Sequence, residues 1–448
     1  MPDLLLDTSK GRGRRAEGRG QLSAQLSALG SQLSSLSPVT AALLYLGVAV
    51  VFTWPLAAGL TRDIPWDLGD SLLNAWIVAW DADHLLRFFG GDVNALRNFW
   101  NANIFYPEPL TLAYSEHLFA QAVQILPVYA LTGNIILSYN LLFLSTFVLS
   151  GLGMFLFVRE ITGSPRAGLA AGLIYAFAPY RVPQFSHLQV ISSQWMPFVL
   201  YGLRRYFVSR RVTPLVGAGA ALIAQNLSNG YFLLFFAPFV LAYALFEIAT
   251  RKLWTHSRVW VGLSVTAFVV TVVTLPFLLP YLELRRLGFG PRALNEVKAF
   301  SADVLSYWTS PAESRLWGGW IRAFPKAEGD LFPTVAAVLL GAVGIGTSVS
   351  AAWARAYPRP AAVSRPLMAI VWLLIAAAAV CTVFAVLILT SNGFTHIGPF
   401  PISVRNLSRN SRVLAVILAL LIIVSPRARA FAQQWIGTIA AFMVIAAA

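Results

Sequence analysis

The chain is punctuated by apolar runs close to the thickness of a lipid bilayer's hydrocarbon layer. A helix needs roughly 20 apolar residues to cross that layer. Runs of this kind, some a little shorter, recur at about 40–60, 138–158, 165–180, 188–208, 213–228, 230–250, 259–281, 331–353, 367–390, 412–425 and 431–448. Of the 448 residues, 57% are hydrophobic and only 12% charged, whereas soluble chains run nearer about a quarter charged. The pattern predicts an all-α polytopic membrane protein with about 11 transmembrane helices. It excludes most ordinary soluble enzymes and a disordered chain.

Charge sets the expected organisation. Residues 1–38 are a basic Gly/Ser-rich tail carrying Lys10, Arg12, Arg14, Arg15 and Arg19, read as cytoplasmic and mostly disordered, with room for a short surface helix at 21–35. Residues 39–448 read as one transmembrane domain with outer loops at about 62–137 and 282–330. The run at 115–132 carries His117, Gln121 and Gln124 at i, i+4 and i+7, so one helical face is polar. It is read as an amphipathic or re-entrant surface helix. On that topology 19 of the 33 Lys and Arg fall inside, in agreement with the positive-inside rule, and 14 of the 19 acids fall outside, which does not set topology but marks where chemistry could be. The expected location is the cell's inner (plasma) membrane, multi-pass, with a cytoplasmic N-terminus. A net charge of +14 is then explained by inner loops, and no nucleic-acid partner is expected.

Several chemistries lack their motifs. The single cysteine, Cys381, excludes an internal disulfide or a cysteine-based metal site. The sequence holds no GxxxxGK[ST] loop, no HExxH and no GxSxG, and no nucleotide site is expected. A reaction here would draw on an activated, membrane-borne substrate or on an ion gradient.

The densest chemistry is in the first outer loop, IPWDLGDSLLNAWIVAWDADHLLRFF. Asp67 and Asp70 follow the first span closely. From Asp70 onward the pattern is helical, with Asp70, Asn74, Asp81 and His84 within about 40° of one line at 100° per residue. Trp76 and Trp80 lie on another face as interfacial anchors. The segment reads as an interfacial helix presenting an acidic stripe. Asp67 and Asp70 suit helix capping. They equally suit a carboxylate base at the lipid–water boundary, or a pair sharing a divalent cation such as Mg or Mn. Glu116 and His117 open the second surface helix after a rigid Tyr106-Pro107 turn. Between two later spans, Arg181, His187 and Gln189 form a polar edge suited to substrate. The last outer loop holds Arg405, Arg409 and Arg412, which suit either interfacial anchoring or an anionic lipid headgroup.

These residues resemble a known group. The phrases PWDLGDSLLNAW, NIFYPEPLTLAYSEH, SYNLLFLSTFVLSGLGMFLFVREITGS, FAPYRVPQFSHLQ and LSNGYFLLF are similar to an uncharacterised bacterial branch of the GT-C class of integral-membrane glycosyltransferases, near the YfhO-like membrane proteins. The resemblance covers residues 40–250 well and the rest loosely. It implies a GT-C-like fold and a polyprenyl-phosphate sugar donor used on the extracytoplasmic face. It implies a glycan, lipid or protein acceptor, with membrane lipids as surroundings. It also implies that an acid of the first outer loop is the base or metal ligand, which maps onto Asp70 with Asp67 second. Glu116 is in place for a second acid, and an Arg among 405, 409 and 412 for the lipid phosphate. The Asp-Glu pair of some class members is absent. Two other readings stay open: a lipid or solute transporter, and a non-catalytic protein binding a lipid-linked glycan.

Overall fold

A computed structural model describes residues 36–326, 328–356 and 365–391 and a few positions between 412 and 425. The tail at 1–35, the expected span at 431–448, Arg405 and Arg409 lie outside the described residues. The described chain is built of helices and turns, with no β-strand among the described residues. It divides into two units, Met1–Pro291 and Arg292–Ala448.

In the first unit the helices are α1 (Pro38–Phe52), α2 (Asp70–Phe89), α3 (Val93–Arg97), α4 (Phe119–Thr132), α5 (Ile135–Thr162), α6 (Pro165–Ala176), α7 (Leu188–Ile191), α8 (Trp195–Ser209), α9 (Val212–Asn226), α10 (Gly230–Thr250) and α11 (Ser257–Arg286). Three of them, α5, α10 and α11, are long and apolar enough to cross a membrane. The molecule is therefore a helical protein suited to membrane association. Several expected spans are shorter than their apolar runs, and proline accounts for most of the difference. Proline lacks an N–H and restricts the residue before it. α1 stops at Phe52, ahead of Pro55, and α6 stops at Ala176, ahead of Pro179. The run at 188–208 splits into α7 and α8, with Pro197 in the first turn of α8. The run at 115–132 yields only the 14-residue α4.

Capping residues place the helix ends. Ser37 Oγ accepts from Thr40 N at 3.0 Å ahead of Pro38, and Asn134 Oδ1 accepts from Leu137 N at 2.9 Å. Ser164 precedes Pro165 at the head of α6, and Asn229 Oδ1 accepts from Tyr231 N at 2.7 Å. Each satisfies an N–H that the helix itself leaves without a partner. Gly133 and Gly163 end α4 and α5 in the left-handed conformation, φ 63° and 70°, which glycine adopts without steric cost.

α5 is the central mast, packed against α1, α6 and α8. The fully buried Tyr45 of α1 lies against Gly151 of α5 and Gly172 of α6, where a Cβ would overlap its ring. Its hydroxyl donates to Leu169 O at 3.2 Å. α8 and α9 form a hairpin, and α9 packs on α11.

The chain runs back and forth so that charges separate by end. Residues 53–118, 177–194 and 226–230 meet at one end, while 159–166, 204–211 and 247–258 meet at the other. The second end gathers Arg159, Arg166, Arg204, Arg205, Arg210, Arg211, Arg251, Lys252 and Arg258. There, Glu247 is 2% exposed and accepts from Arg204 at 3.0 Å, Arg251 at 2.6 Å and Tyr243 at 2.9 Å. This clamp joins α8 to α10.

In the second unit, α12 (Leu294–Phe300) precedes a short turn at Val304–Trp308, capped by Asp303, and then α13 (Val335–Ala356) and α14 (Arg365–Ser391). α14 packs on the 304–308 turn.

Candidate functional site

α2 begins at Asp70, and its first turn faces the 184–188 segment. Asp70 Oδ2 accepts a hydrogen bond from His187 Nε2 at 2.9 Å. His187 Nδ1 lies 2.7 Å from Gln184 Oε1, so the imidazole is fixed in orientation by the amide on one side and the carboxylate on the other. The Asp70 side chain is 54% exposed and that of His187 25%. One Asp70 oxygen therefore remains open at a half-exposed rim. Four residues on, Asn74 Nδ2 donates to Ser186 O at 2.9 Å, and Ser71 Oγ donates to Pro65 O at 2.7 Å. Trp66 packs edge-on to Phe185. Sequence reasoning had singled out Asp70 and His187 separately. Gln184, 114 positions from Asp70, was missed, although its i, i+3 spacing to His187 is the available signal.

The other expected site residues separate from this pair. Asp67 Oδ1 accepts from Gly69 N at 2.7 Å, closing the turn that leads into α2. Asp67 and Asp70 each spend one oxygen in this way, and no group of three or more His, Cys, Asp or Glu able to hold a metal ion occurs among the described residues. No step below is routed through a metal ion. Glu116 Oε2 accepts from Gly230 N at 2.9 Å, capping α10, where a carboxylate suits the positive end of the helix. Burial pushes the Glu116 carboxyl upward, and the Gly230 bond opposes that. Gln189 offers its backbone carbonyl to Asn229 Nδ2 at 3.0 Å. Arg412 is exposed and belongs to the second unit.

Arg181 is a structural grip as well as a buried cation. It is 3% exposed and stacks 4.6 Å over the Phe147 ring. Its Nη2 donates to Thr146 Oγ1 at 3.0 Å and Ile191 O at 2.9 Å. Burial lowers its pKa to about 10, still well above physiological pH, so it stays charged.

His117 is 5% exposed, with its ring 5.0 Å from Phe277 and 5.7 Å from Trp100. Burial pushes it down from 6.5 to about 4. A histidine depressed in the fold contributes stability above its unfolded value, and that contribution is lost as pH falls from 6.5 through 4. Thermal unfolding in detergent is expected to show a loss of about 1–3 kcal/mol over that window. His117→Phe should flatten it, and an equally steep profile in the variant would rule this cause out.

The acidic stripe along α2 also differs in one respect from its expected role. Asn74, Asp81 and His84 are all buried, so the stripe faces the protein and not solvent. Asp81 is fully buried with neither carboxylate oxygen hydrogen-bonded, and burial alone holds its carboxyl well above the usual range.

A cavity of about 530 Å³ runs along the bundle between α8, α9, α10 and α11, from Ile248 and Trp260 near the arginine-rich end to Asn226 at the end of α9. Its walls are mostly aliphatic, among them Leu203, Leu222, Val240 and Leu263. From Asn226 the chain leads within three residues to Asn229, which is bonded to Gln189 two residues beyond His187.

Residues 86–407, well over half of the chain, match the family model described as a domain of unknown function, DUF6311. The chain belongs to the DUF6311 family. The matched DUF6311 segment contains His187 and Gln184 and begins after Asp70. No curated protein and no solved structure matches the chain.

Proposed function

We propose that this DUF6311 protein is an integral-membrane glycosyltransferase of GT-C type that moves a sugar from a polyprenyl-phosphate donor to an acceptor on the extracytoplasmic face of the inner membrane. One observation carries the reading: a half-exposed Asp70 carboxylate, with one oxygen held by His187 and the other open, at the bundle end opposite the arginine-rich one. By the positive-inside rule that end is extracytoplasmic. The adjoining aliphatic cavity supports a lipid-linked donor, because a hydrocarbon chain gains by leaving water for such walls.

The chemistry asked of the residues is modest. Lipid phosphate leaves with little protonation. Asp70 takes the proton of the acceptor hydroxyl as that oxygen attacks the anomeric carbon, and the bond to the phosphate oxygen breaks in a single inverting displacement. His187, anchored by Gln184, holds the carboxylate in position.

The test is direct. The purified protein in nanodiscs is given a panel of polyprenyl-phosphate sugars with membrane extract as acceptor, and free polyprenyl phosphate is measured. Release with one donor class is expected, and no release with any donor would overturn the proposal. His187→Ala should lower kcat by roughly 10–100-fold with a smaller change in KM. An equal loss through KM alone would assign His187 to binding.

A further inference from the structure

α10 and α11 follow one another through a short turn, and helices so joined normally pack as antiparallel neighbours. Here they scarcely touch. α10 packs on α8 and α9, and α11 packs on α9, so the aliphatic cavity is open on the side between α10 and α11. Leu241 and Leu245 line it from α10, Ser264 and Ala267 from α11, and all four are exposed. On α11 the lining reaches from Trp260 to Leu278, or roughly 27 Å of helix. The hydrocarbon of one leaflet is about 15 Å deep, half of the whole layer. The cavity therefore has an inner half as well as the outer half that ends at Asn226.

The inner mouth has its own chemistry. Trp260 lines it and donates through Nε1 to Trp254 O at 3.0 Å. The two rings lie 6.2 Å apart, with Trp254 54% and Trp260 37% exposed. Tryptophans placed in this way sit at headgroup depth. Lys252 and Arg258 flank the pair and are exposed. The turn that carries them is compact: Leu253 N donates to Ile248 O at 2.9 Å and Val259 N to His256 O at 2.9 Å. Both cations are thereby kept beside the mouth that Ile248 and Trp260 line. The acids in the three segments of this end are Glu160 and Glu247, and Glu247 is already spent on Arg204 and Arg251.

We propose that the inner half of the cavity binds an anionic phospholipid of the cytoplasmic leaflet. One acyl chain enters between α10 and α11, and the phosphate lies at the level of Lys252 and Arg258. Charge complementarity names the occupant: basic residues at the membrane surface draw anionic lipid, and a zwitterionic headgroup brings them no net charge. The chain fills a gap in which the facing side chains otherwise lack contacts, and so joins α10 to α11. Only the sidedness rests on the reading above. Sugar transfer plays no part, so failure of sugar release leaves this site standing, and failure of the site leaves Asp70 untouched.

The full chain is purified in detergent, stripped of lipid and titrated with dioleoyl phosphatidylglycerol or dioleoyl phosphatidylcholine, and bound lipid is counted by native mass spectrometry. About one phosphatidylglycerol per chain is expected, held roughly 10-fold more tightly than phosphatidylcholine. It should raise Tm by about 4 °C at ten times its half-saturating concentration. Lys252→Gln combined with Arg258→Gln should cut phosphatidylglycerol affinity about 10-fold and leave that for phosphatidylcholine unchanged. Ser264→Trp, which plugs the opening from an exposed position, should remove binding of both. The comparison of the two lipids on the wild-type protein needs no variant. Equal affinity for the two lipids, undiminished phosphatidylglycerol binding in either variant, a matching Tm rise with inorganic phosphate alone, or one-for-one displacement by a polyprenyl phosphate would each overturn the proposal.

Discussion

Asp70→Asn is expected to abolish sugar transfer, with kcat falling by about 10²–10⁴-fold. The change removes the base and keeps its shape. Asn can still accept from His187 Nε2 through its amide oxygen, so the 2.9 Å contact and the start of α2 survive. The variant protein should express, purify and melt as the wild type does. Its loss should appear in kcat with donor KM nearly unchanged, because Asp70 is assigned to the acceptor hydroxyl and the donor's chain to the aliphatic walls. Measured release of polyprenyl phosphate at saturating donor decides it. Transfer at the wild-type rate would remove the enzyme reading and favour a protein that only binds a lipid-linked glycan. Asp67→Asn serves as comparison. Asp67 closes a turn through Gly69 N, a bond that Asn also makes, so its effect should be slight.

The largest effect on stability is expected at the opposite end. Glu247→Ala would leave Arg204 and Arg251 facing each other without the carboxylate that joins them, and would strip Tyr243 of its acceptor. Removing one partner of a buried ion pair costs about 3–5 kcal/mol. The two arginines keep about a quarter of their side chains exposed, so the lower end, about 3 kcal/mol, is expected. For a unit of this size that lowers Tm by about 10 °C, measurable by light scattering or a thiol-independent dye melt. Glu247→Gln keeps hydrogen-bonding capacity and should fall between. A Tm within a degree of wild type in Glu247→Ala would show that the clamp is ornamental. Sugar transfer measured below the melting range should be nearly unaffected, which separates this effect from that of Asp70→Asn.

Much of the helical plan was legible because apolar length and proline act locally. The expected span at 230–250 matches α10 in both bounds, and the expected 138–158 lies within α5. The stripe of Asp70, Asn74, Asp81 and His84 was correctly grouped on one face of α2, since helical periodicity reports which residues share a face. Periodicity does not report which neighbour that face meets. Only the packing of α2 against α4 and the 184–191 segment turned the stripe inward and separated open Asp70 from buried Asp81. The pairing of Asp70 with His187 spans 117 residues, and no local rule links them. Glu116 and His117 stood out by charge and spacing alone. Their actual surroundings, the head of α10 and an aromatic wall from α11, come from residues more than a hundred positions away.

The stretch from Pro179 to Gln194 is mostly irregular backbone, yet side chains tie it down in four directions. Asn74 takes the carbonyl of Ser186, Asn229 that of Gln189 and Gln225 that of Ser192, while Arg181 reaches out of the stretch to Thr146 on α5. A slip of a single residue would misalign every one of these anchors simultaneously. The stretch therefore behaves like a latch with four bolts on one bar: it keeps its register entirely or releases it entirely. A one-residue insertion here should be far more damaging than one in the exposed turn at Ser209–Arg211, where no comparable set of distant anchors must stay in step.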